Sequence, residues 1–206
     1  MTHLKAQLTL VCFIIASPAL AQRMDFGGMY AYVGDTGSLS LVGNPYANNQ
    51  AACPTGYTAY QVRGKPGVIG DNPMYLCGKV IANTTSVTTP VADFGGMYGH
   101  GFGNPLVGGQ AACPSGFTAT EIAAQFNIDY RVVYCHRAYS STNPAWQVRL
   151  GGMYSDVGVS TQTVYYPNPV LSLRQNACPS NFTSVKVTGF SNVYNEGRMY
   201  WCYQQY

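Results

Sequence analysis

The chain has 206 residues, 9% of them charged against roughly 25% in an average globular protein, and a formal net charge of +3. So small and dispersed a charge excludes a nucleic-acid partner, which needs a concentrated basic stripe, and there is no polybasic cluster to hold anionic lipid. Glycine (23) and tyrosine (17) are abundant in place of charge.

Residues 1–21 read as a secretory signal peptide. Lys5 precedes an apolar run from Leu8 to Ala16, Pro18 breaks it, and Ala19-Leu20-Ala21 supplies the small residues for cleavage before Gln22. The run is too short to anchor the chain across a bilayer. Cleavage leaves 185 residues (206 − 21), lowers the charge from +3 to +2 by removing Lys5, and takes away Cys12. The expected location is secreted or periplasmic, and residues 22–206 are expected to form a single domain.

That domain repeats one phrase three times, over about 25–79, 93–137 and 150–203. Each copy opens on an apolar-Gly-Gly-Met-Tyr (Phe26–Tyr30, Phe94–Tyr98, Leu150–Tyr154) and continues to an Asn-Pro at 44, 104 and 168. A Cys-Pro turn follows at Cys53, Cys113 and Cys178, leading to an aromatic at Tyr57, Phe117 and Phe182. Each copy closes on a second cysteine in an apolar run, at Cys77, Cys135 and Cys202.

Glycine, proline and asparagine interrupt the sequence too often for long helices. Short runs rich in Val, Tyr, Thr and Phe lie between them, the signature of strands. Tyr60-Gln61-Val62 and Val185-Lys186-Val187 alternate as half-buried strands do. The matching stretch of the second copy, Thr120 to Phe126, is richer in helix formers and predicts a single helical turn. The glycine pairs suit positive φ or close approach, and Asn-Pro suits a turn. The spacers 80–92 and 138–149 read as crossing strands or projecting hairpins. Glycosylation sequons occur at Asn83 and Asn181, the latter inside the repeated phrase.

An even number of cysteines in an exported chain reads as disulfides. Repetition selects one of the fifteen pairings: Cys53–Cys77, Cys113–Cys135 and Cys178–Cys202. Zinc is disfavoured, since no Cys-x-x-Cys occurs and only His100 and His136 remain after processing. No copy could bury an apolar face alone, so three must pack together. The expected fold is all-β, with three internal repeats in a pseudo-threefold β-prism or trefoil-like arrangement and one disulfide per repeat.

The combined pattern of Phe94-Gly95-Gly96, Asn104-Pro105-Leu106 and Cys113-Pro114-Ser115-Gly116-Phe117 resembles the cysteine-rich domain that follows the pore-forming module in macrophage-expressed perforin-like proteins of the membrane-attack-complex/perforin superfamily. The likeness runs over nearly all of 22–206. It implies a β-prism-like fold that engages membranes, partly through a long projecting hairpin. The residues of that hairpin are not fixed by the repeated motif. No segment here matches the pore-forming module, so pore formation does not carry over.

Catalysis needs convergent polar groups. Only Asp25 and Asp93 occupy equivalent positions, with Arg149 in the third copy, and turn or capping roles are expected for them. His100 and His136 fall in unlike contexts and read as surface or packing residues; a serine–histidine pair awaits geometry. The expected function is a secreted, non-catalytic binding module, needing no cofactor, that attaches to membrane lipid or a cell-surface glycan. An accessory envelope protein docking to a secreted partner is the alternative, and a hydrolase the minor one. Tyrosine and asparagine suit sugars, the ring against the apolar sugar face and the amide on hydroxyls. The candidate ligand-binding residues are Tyr32, Tyr46, Asn48, Asn49, Tyr165 and Tyr166.

Overall fold

The computed structural model describes residues 23–35, 38–63, 73–81, 90–99, 101–123, 132–142, 148–159, 162–171, 175–188 and 198–205. They make an all-β protein whose eleven strands form one curled, half-barrel sheet. The strands are β1 (Arg23–Asp35), β2 (Ser38–Val42), β3 (Thr58–Arg63), β4 (Met74–Ile81), β5 (Ala92–Gly99), β6 (Thr118–Ala123), β7 (Val132–Ala138), β8 (Val148–Val159), β9 (Gln162–Tyr166), β10 (Thr183–Thr188) and β11 (Arg198–Gln205). Short 3-10 turns occupy Pro45–Ala47 and Pro105–Val107.

Strand order follows the sequence repetition. Neighbours run β3-β4-β1-β2 in the first copy, β6-β7-β5 in the second and β10-β11-β8-β9 in the third, all antiparallel. Single bridges, Phe26 to Ala92 and Met24 to Leu150, join the first strands of the three groups.

The Gly-Gly pair is a bulge set opposite the closing cysteine. Phe26 pairs with Gly78 and Met29 with Leu76, so two glycines face one Cys77. Gly95-Gly96 face Cys135 and Gly151-Gly152 face Cys202 in the same way. The second glycine takes φ of 92°, 89° and 87° at Gly28, Gly96 and Gly152, which L side chains rarely adopt. The first leaves room for the aromatic after the Cys-Pro turn: a Cβ on Gly27, Gly95 or Gly151 would lie 2.4 Å from the ring of Tyr57, Phe117 or Phe182.

A further bulge marks the outer strands. Val62, Ile122 and Val187 are the extra residues there, and all three turn into the core. Met29, Met97 and Met153 are fully buried beside them. Phe26 and Phe94 meet at 4.9 Å between ring centroids, and Phe94 meets Trp201 at 5.2 Å. Burying each such side chain contributes about 1.5–3 kcal/mol.

Two expectations are corrected. Thr118–Ala123 is a strand, not a helical turn, because pairing with β7 and burial of Ile122 outweigh local helix propensity; residues 124–126 lie outside the described residues. Asp25 and Asp93 sit within strands rather than at turns or caps. Asp25 is the register partner of Lys79, and Asp93 of Arg137, whose Nε donates to Oδ2 at 2.8 Å. Residues 1–22, His100, the spacer segments 82–89 and 143–147, and the sequon at Asn83 also lie outside the described residues.

Candidate binding site

Each copy is organised around the asparagine of its Asn-Pro. Asn44, Asn104 and Asn168 are wholly buried. Their side-chain amides donate to the first glycine's carbonyl (Gly27, 2.9 Å; Gly95, 2.8 Å; Gly151, 2.8 Å). They donate also to the carbonyls of Ala52, Ala112 and Ala177 at 3.0–3.2 Å and approach the Sγ of Cys77, Cys135 and Cys202. Their Oδ1 atoms accept from the backbone two residues on, at Tyr46, Leu106 and Val170. One side chain thus ties the glycine bulge, the Cys-Pro approach and the closing strand together. A buried carbonyl without a partner would cost about 1–3 kcal/mol.

The disulfides complete this frame. Cys53–Cys77, Cys113–Cys135 and Cys178–Cys202 are formed, with Cα atoms 5.3, 5.4 and 5.4 Å apart. Such bonds place the folded chain in an oxidising environment. Among the described residues no three His, Cys, Asp or Glu side chains cluster as metal ligands, and no helix is long and apolar enough to cross a membrane.

Two hairpins extend beyond the frame. β1 and β2 pair from Ala31–Val42 out to Asp35–Ser38, and β8 and β9 from Ser155–Tyr166 out to Val159–Gln162. The second copy lacks this extension: β5 ends at Gly99, which exchanges backbone hydrogen bonds with Phe102 at 2.9 and 3.1 Å. Each long hairpin carries a single charged residue, Asp35 or Asp156, among Val, Leu, Tyr, Ser and Thr.

At the hairpin bases tyrosines stack across the strands. Tyr30 lies on Tyr75 (4.8 Å, 13°) and Tyr154 on Tyr200 (4.9 Å, 9°). The second copy pairs Tyr98 with Val133. Burial raises the Tyr30 phenol above its usual range, reinforced by Tyr75 and Tyr32, and the same holds for Tyr75 beside Tyr32.

Of the expected ligand-binding residues, Tyr32 is half-buried at the base of the first hairpin, its ring edge-on to Tyr30. Tyr166 is half-buried, and its hydroxyl accepts from Gln61 Nε2 at 3.4 Å. Tyr165 belongs to β9 opposite Asp156, with its side chain outside the described residues. Asn48 and Asn49 are exposed, with φ of 55° and 57°, after the first 3-10 turn. Tyr46 packs against the core, and its hydroxyl meets His136 Nδ1 at 2.6 Å. The hairpin bases therefore bring Tyr32 near Tyr30 and Tyr75, and join Tyr166 to Gln61, while Tyr46 is turned to the interior. Gln61, Tyr30 and Tyr75 were not among the expected residues; a tyrosine ending each Gly-Gly-Met-Tyr was the available signal.

His136 is 6% exposed and held at both nitrogens, by Tyr46 and by Thr120 Oγ1 at 2.7 Å from Nε2. It stacks on Tyr134 at 4.9 Å. Burial pushes its pKa down from 6.5 to about 4, so the ring is neutral at pH 7. The imidazole joins the 3-10 turn of the first copy to β6 and β7 of the second.

No known protein-family model and no curated protein matches this chain.

Proposed function

We propose that the chain is a secreted or periplasmic, non-catalytic module that attaches to a membrane or to a glycan-bearing surface, its leader (residues 1–21) being removed on export. The observation that carries this reading is the pair of long hairpins, β1–β2 and β8–β9, projecting from a frame whose asparagine hubs and disulfides recur in every copy. The frame makes the same bonds in every copy; the extensions are weakly charged and rich in tyrosine and β-branched residues. A neutral His136 buried between two hydroxyls suits packing better than proton transfer, which works best with a pKa near the working pH. This supports the non-catalytic reading over a hydrolase.

The finer architecture in this reading is a pseudo-threefold β-prism. It is supported by contacts that run in a ring: β3 of the first copy against β8 of the third, β10 of the third against β5 of the second, and β6 of the second against β1 of the first. Flotation with liposomes and a glycan array, run on the oxidised protein, test the attachment reading. Binding in either assay supports it, and silence in both removes it. The alternative, docking to a secreted protein partner, draws on the adjacent exposed Val91 and Tyr139 (37% and 39%); a partner co-purifying through size-exclusion chromatography would favour it.

A further inference from the structure

We propose that the outer face of the first copy's sheet is a binding site for a neutral glycan, with sugar rings laid against Tyr32 and Tyr75, which pack on the buried Tyr30, and sugar hydroxyls bonded to Gln61 and Tyr166. This rests on the attachment reading and names the class of ligand within it.

Register sets these side chains on one face. Met29, Ala31, Met74 and Leu76 are buried at 0–1% exposure, so the alternate residues of the same strands turn outward. Tyr30 and Tyr75 are direct cross-strand partners and stack; Tyr30 is 7% exposed beneath its neighbours, and Tyr75 and Tyr32 are the half-buried rings that meet solvent. Tyr32, two residues beyond Tyr30, brings its ring to 6.5 Å from it at 85°. Leu41 pairs with Tyr32 and is 46% exposed. On the other side Gln61 pairs with Tyr75 and reaches Tyr166 of the third copy. The stripe crosses β3, β4, β1 and β2, three strand spacings or about 14 Å, the scale of a short oligosaccharide.

Charge selects the ligand. The stripe is built of tyrosine, leucine and an amide, and burial holds the phenols of Tyr30 and Tyr75 above their usual value. A phosphate-bearing headgroup would want a cation there, and none of Tyr32, Leu41, Gln61, Tyr75 and Tyr166 supplies one. A pyranose asks for a flat amphipathic ring on its apolar face and an amide or phenol for its hydroxyls. The other copies are built differently at the same register. In the third, Lys186 stands beside Tyr200 and lies 4.9 Å over the Phe102 ring, and Tyr154 is bonded to Ser184. In the second, Val133 replaces the outer tyrosine. An unbroken tyrosine stripe with an amide belongs to the first copy.

The test is retention of the full oxidised chain on immobilised mannan, chitin and β-glucan, alongside flotation with phosphatidylcholine vesicles. Retention on at least one polysaccharide is expected, weakened tenfold or more by Tyr75→Ala and by Gln61→Ala and unchanged by Tyr200→Ala. A cooperative urea transition of unchanged slope in each variant would show that the fold is kept, and Tyr75→Phe, which keeps the stack, should lose less than Tyr75→Ala. Retention on no polysaccharide, or retention indifferent to both Tyr75→Ala and Gln61→Ala, overturns the proposal. Vesicle binding that survives Tyr75→Ala, with retention on no polysaccharide, overturns it and leaves the attachment reading standing. Binding to neither support sinks both.

Discussion

Replacing the hub asparagine of one copy should cost that copy its frame. In Asn104→Ala the carbonyls of Gly95 and Ala112 lose their donors at 2.8 and 3.2 Å, and the Leu106 amide loses its acceptor at 3.1 Å. The Gly95 bond is buried, so its loss costs about 1–3 kcal/mol. The partly buried bonds and the lost cap add about 1 kcal/mol more. A total of ~3 kcal/mol is expected, read as a shift in the urea midpoint at unchanged slope. Asn44→Ala and Asn168→Ala remove the same set of bonds, so the three values should agree within ~1 kcal/mol. Asn104→Asp should be worse than Asn104→Ala, because a carboxylate would face the Gly95 carbonyl without a proton to donate. A cost below ~1 kcal/mol in all three alanine variants, or a large cost in one alone, would refute the reasoning.

Other expectations follow from the same geometry. Gly96→Ala, at φ 89° with Asn104 Oδ1 2.3 Å from the new Cβ, should cost at least ~2 kcal/mol more in urea denaturation than Gly116→Ala, where φ is 81° but the space is open. The His136 pKa is depressed in the folded state, so its contribution is complete above pH 6.5 and is lost as pH falls toward 4. That drop corresponds to at most ~3 kcal/mol and to ~2 kcal/mol after solvent screening; His136→Gln should flatten the stability–pH curve across this window. Replacing both Cys113 and Cys135 by serine should cost ~3 kcal/mol by the loop-closure argument, measured against the oxidised parent. A non-reducing peptide map should recover only the three pairings within copies.

Much of the frame was legible because the chain states it three times. Repetition selected the disulfide pairing, and the alternation at Tyr60-Gln61-Val62 marked a true strand. The hub was not legible. Asn-Pro reads locally as a turn, and nothing local tells that Asn44 reaches back seventeen residues to Gly27. The tyrosine stacks were hidden by the bulge. Phe26 and Met29 both face inward although three residues apart, so parity flips at the glycines and simple alternation misplaces Tyr30. In the second copy Glu121-Ile122-Ala123 favours helix intrinsically, and tertiary pairing overrides it. The hairpins did leave a mark. Tyrosine to asparagine spans 14, 6 and 14 residues (44 − 30, 104 − 98, 168 − 154), so two copies carry eight extra residues at one point.

In the proposed function a stapled frame holds up two hairpins that engage a membrane. Shortening both tips, by removing residues 33–40 and 157–164, while keeping Tyr32, Leu41 and Tyr166, tests it most directly. Binding to liposomes should be lost and retention on polysaccharide, carried by the kept tyrosine stripe, should persist, while the stability read from urea denaturation stays within ~1 kcal/mol of the parent's. Undiminished liposome binding by the shortened protein would contradict this.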